Sequence, residues 1–328
     1  MISDQNIHQI FGKIGKSVLE TSFLGKGEAS TVLKITANDG IYALKTALYP
    51  ERKEKVLNEA EFRHYFIDHG LSCVPAPVYS DSEIFPNGAV IYNFVDGIKP
   101  DFKNFENLKQ MAYILSQIHQ IEYDITDDGF HQIMKLYNLM EKTIQKIKTN
   151  FPHLVNDSIT SAFTNALNEY NQILNSSKEI FTTGINAHLH GDLSDNFVID
   201  QNGKIWLLDW ENSEYGDIVD ELCWFLYANN VSPEDQANFF REYQHHFKYT
   251  QQINFEKISR LYFTSTPVLD ICWGMDQMGT KLDQNLEPPG RKLNDLTISA
   301  SEWSKFYSDS TCSLIVNGIK ELKQSLLE

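Results

Sequence analysis

Three polar residues within one short stretch have the types and the spacing that phosphoryl transfer needs. The stretch is His190-Gly191-Asp192-Leu193-Ser194-Asp195-Asn196-Phe197-Val198-Ile199, followed by Gln201-Asn202-Gly203 and then Ile205-Trp206-Leu207-Leu208-Asp209-Trp210-Glu211. Phosphoryl transfer asks little covalent chemistry of a protein. One carboxylate orients an attacking hydroxyl and takes its proton, and a few oxygen donors hold magnesium against nucleotide phosphates. Asp192 suits the first role, and Asn196 and Asp209 suit the second. They work only if they are held together. The β-branched and aromatic runs 197–199 and 205–208 flank an Asn-Gly turn signal, so the pattern predicts a hairpin that brings Asp192, Asn196 and Asp209 close.

The elements that must position these groups are read from the remaining pattern. Ile7, Ile10, Phe11 and Ile14 recur at three and four, which predicts one amphipathic helix at the chain start. Residues 22–35 then read as a strand, a turn containing Gly25 and Gly27, and a second strand; glycines there let backbone amides approach phosphate oxygens. An Asn38-Asp39-Gly40 turn leads into the strand Ile41-Tyr42-Ala43-Leu44-Lys45, and a helix is expected from Glu51 to Ile67, stopping near Gly70. Val74-Pro75-Ala76-Pro77 is extended by its prolines, and residues 88–95 form an apolar strand. Leu108, Met111, Ala112, Leu115, Ile118 and His119 share a helical face. Two further helices are expected between Phe130 and Lys178, with Met134, Tyr137, Leu139, Met140, Ile144 and Ile147 as the apolar positions of the first. Residues 285–294 read as a loop before a final helix.

Composition bounds the class. The chain of 328 residues is 42% hydrophobic and can bury a sizeable core. Its net charge of -16, from 44 acids against 28 bases, argues against nucleic acid or an anionic membrane as partner and favours a cationic small molecule. No apolar run is long enough to span a membrane and the N-terminus has no leader pattern, so a soluble cytoplasmic protein is expected. Cys73, Cys223, Cys272 and Cys312 are scattered without a Cys-x-x-Cys pair, which suits structural thiols. His188 and His190 lie two apart on an expected strand with no further metal ligand nearby in sequence.

The His-Gly-Asp, Asn and Asp-Trp-Glu elements, in that order, resemble the catalytic core of the aminoglycoside phosphotransferase and choline kinase superfamily. The match has one departure: Asp192 and Asn196 are four positions apart where the family has five, so either Asn196 or Asp195 could face a metal. The resemblance implies an α+β, two-lobed protein-kinase-like fold, with a small antiparallel-sheet N-lobe over residues 1–96 and a mostly helical C-lobe over 97–328. It implies ATP or GTP with Mg²⁺ as cofactors and a small, amine-bearing alcohol as acceptor, either an aminoglycoside or an amino alcohol such as choline or ethanolamine. A nucleotide-binding pseudokinase is the alternative of another class. By the same resemblance Asp192 is the catalytic base. Gly25, Gly27, Ser30 and Lys45 meet the phosphates, Glu59, rather than Glu61, pairs with Lys45, and the backbone of Asn93 to Val95 holds the base. Asn196 and Asp209 bind metal, and Asp220 supports the catalytic loop from a Gly-Asp-x-x-x-Asp-Leu segment. Glu211 and Asp217, with Trp273 and Asp276 on a helix similar to the choline kinase ammonium cage, face the acceptor.

Overall fold

The computed structural model describes residues 2–26, 30–126, 129–150, 157–180 and 183–247, with scattered positions from 249 to 298. Gly27, Trp273 and Asp276 lie outside the described residues, as do Cys272, Cys312 and the expected terminal helix. In chain order the elements are α1 (Asp4–Lys13), β1 (Val18–Lys26), β2 (Ser30–Ala37), β3 (Gly40–Ala47), α2 (Lys53–Asp68), β4 (Pro77–Asp81), β5 (Ala89–Asn93) and α3 (Phe105–Ile121). There follow β6 (Tyr123–Thr126), α4 (Gly129–Asn150), α5 (Asp157–Ser176), β7 (Gly184–Leu189), β8 (Phe197–Ile199), β9 (Ile205–Leu207), β10 (Glu214–Asp217), α6 (Ile218–Ala228) and α7 (Pro233–His246). A last hairpin, β11 (Arg291–Leu293) with β12 (Leu296–Ile298), corrects the expectation of a loop through residue 294.

The chain divides into two compact units, one of residues 1–123, 186–221 and 228–249, the other of residues 124–185, 222–227 and 250–328. The first unit is built on a five-stranded antiparallel sheet in the order β1-β2-β3-β5-β4. Its two faces are covered by different helices. Ser3 caps α1 by accepting from the Asn6 amide at 3.2 Å, and the helix lays Ile7, Ile10 and Phe11 against Ile35, Leu44 and Ile91. Each of these side chains contributes about 1.5–3 kcal/mol by leaving water. On the other face Val56 and Ala60 of α2 pack on Ala43, Ala47, Val90 and Tyr92. Alternation along β3 therefore puts Ala43, Lys45 and Ala47 toward α2 while Leu44 faces α1. The central strand thus sends its lysine to the helix that carries Glu59.

Two further features of the first unit hold the site. β8 and β9 form the expected hairpin with Phe197 opposite Leu207 and Ile199 opposite Ile205. Its turn is tied by Asp200, whose Oδ1 accepts from the amides of Asn202 at 2.8 Å and Lys204 at 3.1 Å, and Gly203 supplies the left-handed residue at φ 77°. β10 pairs antiparallel with β7, Glu214 opposite Leu189 and Asp217 opposite Asn186. Helix α3, capped by Asn104, packs against α7, and His119 at its end is a buried core residue bonded to Tyr243 Oη at 2.7 Å and Glu221 Oε2 at 2.8 Å.

In the second unit α4 buries Ile133, Tyr137, Met140 and Ile144, and α5 buries Leu167, Tyr170, Ile173 and Leu174. Leu139, expected among the apolar positions of α4, is 52% exposed. It falls one residue before Met140, about 100° round the helix from the buried stripe. Gly129 opens α4 against the Thr183 carbonyl, where a β-carbon would lie at 2.8 Å. Cys73 and Cys223 are buried and not joined in a disulfide, and among the described residues no helix is long and apolar enough to cross a membrane.

Candidate active site

Lys45 is the centre of a buried charge network. Its ammonium has three protons to donate. Its partners are Glu59 Oε2 at 2.8 Å, Asp209 Oδ1 at 2.5 Å and Glu211 Oε2 at 2.8 Å. Burial alone would lower the Lys45 pKa, but Glu59, Asp209 and Glu211 outweigh it and hold the ammonium well above its ordinary range. Glu59 is fully buried, and burial alone would raise it, yet Lys45 and Arg63 pull its carboxyl down to about 2. Glu61, two positions along α2, is exposed.

Arg63 is a member of the network that the sequence reading missed. Its Nε and Nη2 donate to Glu59 Oε1 at 2.9 and 2.5 Å, its Nη1 donates to the Pro75 carbonyl at 3.2 Å, and its guanidinium lies 4.3 Å from the Tyr92 ring centroid. The signal was present as a Glu followed four residues later by Arg, the favourable helical order. With Lys45 on one carboxylate oxygen and Arg63 on the other, Glu59 also receives the Trp210 amide at 3.3 Å. One buried carboxylate therefore ties β3, α2 and the segment after β9.

The loop that carries Asp192 is fixed by its own backbone. Gly191 takes φ 80°, and a β-carbon there would lie 2.1 Å from the Asn212 carbonyl oxygen, so only glycine lets the two strands of chain approach. Its amide donates to Glu221 Oε1 at 2.7 Å. His190 is buried, and that burial pushes its pKa down. Its Nδ1 accepts from the Asp192 amide at 3.3 Å, so the proton sits on Nε2, which donates to the Leu208 carbonyl at 2.8 Å. The Leu208 amide in turn donates to the Asn196 carbonyl at 2.8 Å. Both backbone groups of Leu208 are thereby held by the loop that carries Asp192, which fixes the position of the next residue, Asp209. Asp209 itself has φ 55°, a left-handed conformation uncommon outside glycine and found where a site imposes it.

The ligand atoms of Glu59, Asp209 and Glu211 lie within 4.8 Å of one another. Oxygen donors of this kind fit a hard cation such as magnesium, and the crowding of like charge is visible in Asp209, raised by burial and by Glu59 and Glu211 against the opposing pull of Lys45. Asn196 is half-buried, and its Nδ2 donates to the Asp192 carbonyl at 3.1 Å. Asp195 turns outward, 73% exposed, and pairs with Lys99. Asp192 is half-buried, with Ser194 Oγ donating to its Oδ1 at 2.9 Å.

The other expected residues are placed as follows. Gly25 lies at a register irregularity of β1, and Ser30 is buried at the start of β2. Asn93 ends β5 with its amide donating to the Ala76 carbonyl at 3.0 Å, and Val95 follows half-buried. Glu211 turns to Lys45. Asp217 accepts the Val219 amide on Oδ1 at 2.8 Å at the start of α6. Asp220 does not make the expected bond to the loop that carries Asp192; Glu221 does, because the spacing of the Gly-Asp-x-x-x-Asp-Leu pattern from Gly216 lands on Glu221.

Asp220 has a different consequence. Burial, with Asp217, Glu221 and Glu214 nearby, raises its carboxyl to about 7. The folded chain therefore holds this proton where the unfolded chain has lost it, and the group opposes folding increasingly as pH climbs from about 4 through 7. Asp220→Asn is expected to raise the thermal midpoint by a few degrees at pH about 8 and to leave it nearly unchanged at pH about 4, as melting scans across that range will show.

The comparisons agree with this architecture. Residues 20–257 match the model of the phosphotransferase enzyme family. Among solved structures the chain is similar to choline kinase LicA from Streptococcus pneumoniae, at 15% identity and TM-score 0.62 over 97% of this chain and 99% of that one. It is similar to aminoglycoside 2′-phosphotransferase-IIIa, solved as its GDP complex, at 14% identity and TM-score 0.61 over 97% of each chain. A Plasmodium vivax ethanolamine kinase aligns at 15% identity and TM-score 0.60, over 92% of this chain and 83% of that one. No curated protein matches the chain. With its protein-kinase-like fold and a family match that runs from β1 past α7, the chain belongs to the phosphotransferase enzyme family.

Proposed function

We propose that the protein transfers the γ-phosphate of ATP or GTP to a hydroxyl of a small, amine-bearing molecule. Lys45, oriented by Glu59, pairs with the nucleotide phosphates, and Asp209 with Asn196 and Glu211 would hold magnesium, which when bound offsets phosphate charge. Glu211 is assigned to this phosphate side because its Oε2 lies 2.8 Å from Lys45 Nζ. Asp192 orients the acceptor hydroxyl and takes its proton. The observation that carries the reading is the double tie on Leu208, through His190 and Asn196, which couples the loop of Asp192 to the strand end of Asp209. Related structures were solved with AMP, with ADP and spectinomycin, and with GDP and kanamycin, which supports a purine nucleotide as donor.

The acid excess of the chain and the presence of Glu214 and Asp217 near the Glu221 anchor favour a protonated amine on the acceptor, since a carboxylate bonds a cation more strongly than a neutral hydroxyl. Choline and ethanolamine are one acceptor class and aminoglycosides the other. A nucleotide-binding pseudokinase is a second reading, favoured by the catalytic loop that is one residue short. Two measurements separate them. With magnesium, ATP or GTP at about 100 times its dissociation constant is expected to add about 2.7 kcal/mol of stability, read as a thermal shift, and no shift with any nucleotide sinks both readings. Nucleoside diphosphate release with choline, ethanolamine, kanamycin and spectinomycin then tests transfer. A thermal shift without turnover of any acceptor identifies the pseudokinase.

A further inference from the structure

The catalytic loop contains a hydroxyl to which the roles above assign no task. Ser194 Oγ donates to Asp192 Oδ1 at 2.9 Å, and both residues are half-buried. The backbone around them is already committed. The Gly191 amide goes to Glu221, the Asp192 amide to His190, the Asp192 carbonyl to Asn196, and the Leu193 carbonyl to Asn229 Nδ2 at 3.0 Å. What remains free is rotation of the Asp192 carboxylate, whose terminal torsion is intrinsically broad. Among the described residues, Ser194 is the group that restrains it.

Resting on the kinase reading above, we propose that Ser194 is a positioning residue for phosphoryl transfer. By holding Oδ1 it presents Oδ2 of Asp192 to the acceptor hydroxyl. As the acceptor oxygen bonds to the γ-phosphorus, the bond from that phosphorus to the bridging oxygen breaks, the nucleoside diphosphate leaves with that electron pair, and the acceptor proton passes to Oδ2. Ser194 keeps its proton throughout. The short loop gives this contact its place, with the serine two residues after Asp192 and two before Asn196. A near-attack geometry is sensitive to small misplacement of the base, so losing one charge-assisted hydrogen bond shows in turnover and not in nucleotide binding.

The test uses the full chain with magnesium and ATP or GTP, the four acceptors named above, and water as the basal acceptor, reading kcat and nucleotide KM. Ser194→Ala is expected to lower kcat about tenfold with nucleotide KM within about twofold, and Ser194→Thr, which keeps the hydroxyl, to restore kcat to within about twofold of wild type. Ser194→Cys keeps the volume and weakens the donor, so it supplies the same comparison if the alanine variant is not recovered folded. Full kcat in Ser194→Ala alongside a large loss in Asp192→Ala overturns the role of Ser194 and leaves the kinase reading intact. Equal losses in the alanine and threonine variants also overturn it, since space and not the hydroxyl is then what matters. Undiminished turnover in Asp192→Ala, or no turnover by wild type with any acceptor or water, overturns both.

Discussion

Asp192→Ala is expected to lower turnover by roughly 10² to 10⁴ while leaving nucleotide affinity nearly unchanged. The two quantities separate because the groups that would meet the nucleotide are other ones. Lys45 joins Glu59, Asp209 and Glu211 in one network, with Arg63 on Glu59, and Asp192 is not among these partners. The side chain of Asp192 bonds Ser194, and its amide and carbonyl go to His190 and Asn196. Removing the carboxylate therefore leaves the backbone of the loop supported and the phosphate side intact. The measurement is a pair: steady-state kinetics on an acceptor found by the screen, and nucleotide titration by thermal shift. Asp209→Ala should behave in the opposite way, weakening nucleotide binding first, because Asp209 bonds Lys45 and belongs to the carboxylate group that fits a cation. If Asp192→Ala retains turnover, another group takes the acceptor proton and the mechanism proposed here fails.

Much of this arrangement was legible in the sequence because it depends on short periods. Helical spacing along α2 allowed only one of Glu59 and Glu61 to face Lys45, and the family resemblance pointed to Glu59; in the structure Lys45 bonds Glu59 and Glu61 is exposed. The Asn-Gly signal was enough for the β8–β9 hairpin. Contacts between distant segments were not legible. Nothing in the local pattern says that the Leu208 carbonyl meets His190, that the Trp210 amide meets Glu59, or that Lys99 pairs with Asp195. Glu211 illustrates the same limit. The resemblance put it at the acceptor, whereas in the structure its Oε2 lies 2.8 Å from Lys45 Nζ. Glu221 is a different case, since the spacing was available and the substitution of Glu for Asp drew attention to the neighbouring Asp220. Asp192 and Asn196 were readable as types, whereas the hydroxyl of Ser194 acquires meaning only once its distance to Asp192 is known.

Glu59→Ala is expected to be strongly destabilising, costing about 3–5 kcal/mol in urea denaturation, because it leaves buried charges without their partner. Lys45 is 1% and Arg63 0% exposed at the side chain, so water cannot replace the lost carboxylate. Lys45 keeps Asp209 and Glu211, but Arg63 is reduced to the Pro75 carbonyl and the Tyr92 ring. Arginine is therefore the residue whose burial becomes costly, and Arg63→Met in the Glu59→Ala background is expected to recover part of the loss, a coupling of about 1–3 kcal/mol between residues in direct contact. Glu61→Ala, on the exposed side of the same helix, should fall within about 0.5 kcal/mol of wild type. Acid gives an independent check. Glu59 is held at about 2, below its ordinary 4.5, so its contribution is complete above 4.5 and is lost as pH falls through about 2. The Glu59→Ala variant should therefore lose less further stability across that window than wild type does. A cost below about 1 kcal/mol, with an unchanged acid profile, would mean that Lys45 and Arg63 are satisfied without Glu59 and that the carboxylate is not what joins β3 to α2.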